Sequence, residues 1–226
     1  MKFNAGTGSI PKLPSGIYAL LSEHHSKVRC NIAVARQILE AGVKILQYRE
    51  KHKKQKEMYR ECQVLREITR NAGALLIIND HIDIALAVDA DGVHIGQDDL
   101  PLKVVRELVG AARMIGVSTH SPAQAKNAAA EGADYIGVGP IFATQTKEDV
   151  CDPVGLEYLR YVVGHLDIPF VAIGGIKEHN LAEVVDAGAV TVALVTEIVG
   201  SPDIPGKIKR LQAIMDNNIK TGKEGE

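Results

Sequence analysis

Three polar residues alternate along one short stretch of this chain: Gln47, Arg49 and Lys51. In an extended segment alternate residues share a face, so an amide and two cations would point one way. An arginine fork beside a lysine suits a diphosphate. An ordinary polar strand end running into the basic loop 51–56 would read the same way. Farther along, Asn79-Asp80 and Gly96-Gln97-Asp98-Asp99 each follow an apolar run. Carboxylates from two such ends can hold Mg2+, which takes oxygen ligands, keeps several waters and bridges protein carboxylates to a substrate diphosphate. Asp80 and Asp99 are the candidate ligands, with Asp98 the better choice for a minor role. Helix capping, by Asp80 for the next helix and by Asp98 or Asp99 for the helix at Pro101, is the alternative.

A second group of residues suits a monophosphate. Thr144, Thr146 and Lys147 place two hydroxyls and a cation in one long loop behind Gly139-Pro140. Gly174-Gly175 and Val195-Thr196 end two later apolar runs. Glycine lets backbone N–H groups approach an anion closely, although Gly-Gly also serves as a plain turn. Ser118 follows another apolar run and offers a hydroxyl to a phosphate or to a turn. Ser121 then reads as a helix cap with Pro122 at the first helical position. The eight histidines form no ligand set, and His94 reads as a packed or supporting residue inside an apolar strand. No Ser/His/Asp or Cys/His arrangement supports a nucleophile.

The elements that must position these residues repeat along the chain. Strands are expected at 17–22, 43–48, 75–79, 92–95, 114–117, 135–138, 170–173 and 191–195. Amphipathic helices are expected at 33–41, 56–72, 82–87, 102–109, 122–131, 156–163, 178–187 and 205–217, with a short helical segment after Thr196. Strand-helix alternation implies parallel pairing through right-handed crossovers. Glycines at 42, 92, 132 and 188 punctuate helix-to-strand turns and fit left-handed helix ends. Eight such units in 226 residues close into a single-domain (β/α)8 barrel, a fold of roughly 200 to 250 residues. In that fold the site lies at the C-terminal strand ends, where the polar residues above fall. Residues 1–14 and 220–226 read as flexible termini of this one domain.

Composition removes other classes. Hydrophobic residues make up 46% of the chain and aromatics 4%, without tryptophan, so an aliphatic core is expected. The net charge of -2 and the lack of a basic stripe argue against nucleic acid. No run is long and apolar enough for a membrane span or a signal peptide. Three isolated cysteines, Cys30, Cys62 and Cys151, point to a reducing cytoplasm rather than a disulfide framework. A homo-oligomer is left open.

Taken in order, Gln47-x-Arg49-x-Lys51, Asn79-Asp80, the stretch 90–99, Gly116-Val117-Ser118, the stretch 137–142 with Thr144-x-Thr146-Lys147, and Gly174-Gly175-Ile176 resemble the thiamin-phosphate synthase family. The resemblance runs from about Ile17 to about Ile198. It implies a Mg2+-assisted transferase acting on small molecules. Such an enzyme joins 4-amino-5-hydroxymethyl-2-methylpyrimidine diphosphate to 4-methyl-5-(2-phosphoethyl)thiazole and releases thiamin phosphate and diphosphate. Diphosphate leaves first, and the thiazole nitrogen captures a pyrimidine cation. Gln47, Arg49, Lys51, Asn79, Ser118 and Lys147 would hold the pyrimidine diphosphate. Asp80 and Asp99 would bind Mg2+. Thr144, Thr146, Gly175, Val195 and Thr196 would hold the thiazole phosphate. Arg49, Lys51, Ser118 and Lys147 would be the catalytic set.

The eighth strand departs from the family, which more often has Asp-Gly at its start and Ser-Ala near its end. Thr196 keeps a hydroxyl, but Glu197 sets a carboxylate beside the expected phosphate. The alternatives are a thiazole tautomerase on the same fold, a non-catalytic binder of thiamin precursors, and another phosphate-binding barrel enzyme. The complete cation and carboxylate set disfavours all three.

Overall fold

The computed structural model describes residues 9–27, 29–146 and 151–221. Eight strands are present: β1 (Gly16–Leu21), β2 (Ile45–Tyr48), β3 (Leu75–Asn79), β4 (Gly92–Ile95), β5 (Met114–Thr119), β6 (Tyr135–Val138), β7 (Phe170–Ala172) and β8 (Thr191–Leu194). They run parallel and close in sequence order, β8 returning to β1 with Gly16 opposite Thr191 and Ala19 opposite Leu194. The helices between them are α1 (Asn31–Glu40), α2 (Gln55–Asn71), α3 (Ile82–Ala87), α4 (Leu102–Val109), α5 (Pro122–Glu131), α6 (Gly155–His165), α7 (Leu181–Asp186), α8 (Thr196–Val199) and α9 (Ile204–Thr221). The fold is a (β/α)8 barrel.

Two cores result from strands buried on both faces. Between strands and helices lies an aliphatic layer that includes Leu46, Leu76, Ile78, Val93, Ile115 and Ile136. Burying each large side chain there contributes roughly 1.5–3 kcal/mol. The barrel interior is smaller and holds Tyr18, Leu20, Ile45, Ile77, Met114, Tyr135, Val171 and Ala193. The expectation of a purely aliphatic core therefore fails inside the barrel, where two tyrosines fill the centre and their hydroxyls bond to each other. Leu13, within the expected flexible leader, packs against this interior.

The helix-to-strand turns use a repeated device. Asp91, just before β4, accepts from the Leu76 amide at 2.8 Å and pairs with Arg66 of α2 at 2.6 Å. Asp134, just before β6, accepts from the Ile115 amide at 2.7 Å and pairs with Arg106 of α4 at 2.5 Å. Each carboxylate pins a helix and the preceding strand to the N-terminal rim of the barrel.

Gly42, Gly132 and Gly188 have the expected left-handed φ. Gly92 does not: Asp89 takes that conformation, and Gly92 sits in β4, where a Cβ would crowd the Met114 carbonyl oxygen at 2.5 Å. Ser121 caps α5, accepting from the Gln124 amide, with Pro122 in the first turn. Helix α7 starts three residues later than expected. Asn180 accepts from the Lys177 amide and donates to the Gly175 carbonyl, and so holds residues 175–180 in a turn.

Candidate active site

The polar strand ends meet at the C-terminal rim. Gln47 is buried at the end of β2, and its Nε2 donates to the Tyr18 hydroxyl at 2.9 Å. The Arg49 amide donates to the Leu21 carbonyl at 3.1 Å, so extended pairing continues past β2 and keeps the alternation. Only 8% of Arg49 is exposed. Burial pushes its pKa down, and the charges of Asp80 and Glu50 oppose that shift. Lys51, farther out, pairs with Asp80 Oδ2 at 2.5 Å.

Asp80 has a left-handed backbone, φ 62°, a conformation that is uncommon without glycine, though aspartate adopts it more readily than most residues. Its amide donates to the His94 carbonyl at 2.9 Å, fastening the end of β3 to β4. It does not cap α3, whose N-cap residue is His81 and makes no side-chain cap bond. Asp99 Oδ2 accepts from the Gly96 amide at 2.6 Å in the turn after β4. Neither Asp98 nor Asp99 caps α4, which starts behind Pro101 without a side-chain cap bond. Among the described residues no cluster of three His, Cys, Asp or Glu could hold a metal. Two carboxylates with waters and substrate oxygens remain a donor set that suits Mg2+. Asn79 ends β3 opposite His94.

Ser118, expected just after a strand ending at Val117, lies inside β5, which runs two residues longer because pairing with β6 continues through Ser118–Gly137 and Thr119–Val138. Its Oγ is 2.9 Å from His94 Nε2, and its carbonyl accepts from Gln97 Nε2 at 2.6 Å.

The two loops that carry the residues expected for a monophosphate zip together. The Ile141 and Phe142 amides donate to the carbonyls of Ile173 and Gly174 at 2.9 and 3.0 Å. Gly175 (φ 66°) passes so close beneath that a Cβ would meet the Phe142 and Ala143 carbonyls at 2.6 Å. Only glycine fits there. Thr144 and Thr146, which follow, share a hydroxyl contact of 2.9 Å. Lys147 lies outside the described residues. Val195 precedes α8 and packs on both cores.

Thr196 Oγ1 accepts from Lys177 Nζ at 2.5 Å. Lys177 was not among the expected site residues; its signal was a cation two residues after Gly175. Glu197 also differs from expectation. It pairs with Lys207 at 2.7 Å and lies 3.6 Å from Lys177. Burial opposes its charge, but the hydrogen bond and charge of Lys207 and the charge of Lys177 hold its carboxyl below the usual range. Its charge is therefore compensated by the two lysines. His94, expected as a packed or supporting residue, is buried and lies within hydrogen-bond distance of the Tyr135 and Ser118 hydroxyls.

A closed parallel barrel whose C-terminal rim gathers buried arginine, lysines, carboxylates and glycine turns is the phosphate-handling class of (β/α)8 enzymes. The chain belongs to the thiamine monophosphate synthase family, whose model matches residues 17–198. The thiamine-phosphate synthase of Pelotomaculum thermopropionicum is 60% identical over 203 residues, 90% of this chain and 93% of its own. That of Lawsonia intracellularis is 52% identical over 204 residues, 90% and 94% of the two chains. The solved thiamine phosphate pyrophosphorylase of Pyrococcus furiosus superposes with a TM-score of 0.82 at 35% identity, covering 89% of this chain and 96% of its own. The family's enzyme is a transferase that moves a pyrimidine to a thiazole and releases diphosphate. These comparisons lend no support to the tautomerase or the silent binder.

Proposed function

We propose that this chain makes thiamin phosphate from 4-amino-5-hydroxymethyl-2-methylpyrimidine diphosphate and 4-methyl-5-(2-phosphoethyl)thiazole, with Mg2+ held by Asp80 and Asp99. The observation that carries the assignment of roles is the convergence of buried Arg49 and Lys51 on Asp80. Keeping a guanidinium so deep is costly unless an anion repays it. A departing diphosphate does so, because its charge grows as the C–O bond breaks and fixed cations then stabilise it more than the ground state. Bound Mg2+ would add charge stabilisation to the leaving group.

Gln47, Asn79 and Ser118 orient the pyrimidine diphosphate, and Lys147, outside the described residues, is the further cation of this set. Thr144, Thr146, Gly175, Val195 and Thr196 hold the thiazole phosphate, and Lys177 supplies the positive charge beside Thr196. The nucleophile is a neutral ring nitrogen, so no strong base is needed. The cytoplasmic setting rests on three cysteines without disulfides. Among the described residues no helix is long and apolar enough to cross a membrane.

The test is product analysis with purified protein and both substrates, with Mg2+ and with chelator. Thiamin phosphate and diphosphate formed only with Mg2+ support the assignment. Turnover that survives chelation removes the metal role from Asp80 and Asp99, and absence of product overturns the reaction.

A further inference from the structure

Five side chains from five strands form one line of hydrogen bonds through the barrel. Gln47 Nε2 donates to Tyr18 Oη at 2.9 Å. Tyr18 Oη and Tyr135 Oη are 2.9 Å apart, Tyr135 Oη and His94 Nδ1 3.0 Å, and His94 Nε2 and Ser118 Oγ 2.9 Å. The two tyrosines are essentially inaccessible to solvent, at 1% and 0% exposure. Burial raises the pKa of both phenols, so each keeps its proton. Gly116 makes the space: a Cβ there would overlap the Tyr135 ring.

A buried phenol has one proton to give, and leaving a buried polar group unmatched is costly. That makes the line directional. Tyr18 already accepts from Gln47, so its proton goes to Tyr135. Tyr135 then gives its proton to His94 Nδ1. His94 must carry its own proton on Nε2 and donate to Ser118. Ser118, having accepted, retains a hydroxyl proton for a group outside this line. Run in reverse, the line would spend the Ser118 proton on His94. Only oxygen lone pairs would then face an anionic substrate, which is repulsive. The Gln47 bond by itself selects the forward direction, and that direction also suits an anionic substrate.

We propose that Tyr135 is a positioning residue that fixes His94 as its Nε2–H tautomer, and that His94 thereby holds Ser118 as a hydrogen-bond donor to the pyrimidine diphosphate. The Ser118 contact rests on the functional reading above; the proton positions do not.

The tautomer is read directly from two-bond 1H–15N spectra of 15N-histidine-labelled protein, with the His94 signals assigned by their loss in His94→Asn. The expected spectrum shows a neutral ring with the proton on Nε2 and Nδ1 as acceptor. A wild-type proton on Nδ1, or on both nitrogens, overturns the proposal whether or not the protein makes thiamin phosphate. In Tyr135→Phe the Nδ1 donor is gone, so the Nδ1–H tautomer should appear. KM for the pyrimidine diphosphate should then rise about tenfold, the scale of one hydrogen bond, while KM for the thiazole phosphate stays unchanged. Tyr18→Phe leaves the Tyr135 donor in place and should keep the Nε2–H tautomer. An unchanged tautomer in Tyr135→Phe, or an equal rise in both KM values, overturns the proposal.

Discussion

The ammonium of Lys51 lies 2.5 Å from Asp80 Oδ2, on a residue whose backbone is left-handed at φ 62°. A surface pair of this kind, with Lys51 half exposed, contributes only about 0–1 kcal/mol to stability. Its importance is in what it holds ready. Asp80→Ala should therefore leave the melting temperature within a few degrees of wild type. It should lower product formation by at least about a hundredfold, on the scale of losing one preorganised electrostatic contact. It should also abolish the response of rate to Mg2+. Calorimetry beside a Mg2+ titration of initial rates checks both halves, and a variant that keeps normal Mg2+-dependent turnover removes Asp80 from the metal site.

Arg49→Ala separates the two substrates. Losing a charge-assisted contact costs roughly 1.5–3 kcal/mol, so kcat/KM for the pyrimidine diphosphate should fall by about 10- to 150-fold. Thiazole-phosphate binding, measured by titration calorimetry, should change less than twofold. Equal losses for both ligands would refute the assignment.

Lys177 donates to Thr196, and the mirror-image outcome is expected for Lys177→Met. KM for the thiazole phosphate should rise about tenfold, with KM for the pyrimidine diphosphate held. Steady-state kinetics with each substrate varied in turn decides it.

The Lys207 pairs with Glu178 and Glu197 should be visible in acid. Both carboxyls sit below their ordinary pKa in the folded chain: Glu178 through its Lys207 hydrogen bond, Glu197 through Lys207 and Lys177 against the opposing effect of burial. A depressed pKa contributes stability above the unfolded value, near 4.3. That stability is lost as pH falls through the folded value. The melting temperature should therefore drop on acidification below about pH 4.3, and Lys207→Gln should flatten that drop. Parallel slopes for the two proteins would contradict it.

Gly116→Ala places a methyl group in the Tyr135 ring. Overpacking typically costs 1–3 kcal/mol, and urea unfolding should show a loss of about that size. A stability equal to wild type would mean that the ring is free to move aside.

The eight strands were legible because they are short, mostly aliphatic runs buried on both faces, each closed by a polar residue, a glycine or a turn within two residues. Their ends were less so: β5 runs on to Thr119 and β7 stops at Ala172, since register with a neighbour, not composition, sets where pairing stops. Gln47, Arg49, Asp80 and Ser118 were legible as site candidates because ionisable and hydroxyl groups recur just where apolar runs end. Tyr18 and Tyr135 were not. Inside apolar strands they read as bulk, and their bond joins positions 117 residues apart. Lys177 and the late start of α7 depend likewise on Asn180 reaching back to Gly175. The compensation of Glu197 depends on a lysine of α9. Such pairings arise only once the barrel has closed.

The carboxylate pins of Asp91 and Asp134 lie at the opposite rim from the chemistry. An engineer seeking a hardier catalyst can therefore work from underneath. New pins of the same design, an acidic residue before a strand and an arginine on the second helix back, could be added at the remaining turns. The penalty usually attached to such changes, a stiffened and slower site, should be small, because the groups that meet substrate hang from the other end of the staves.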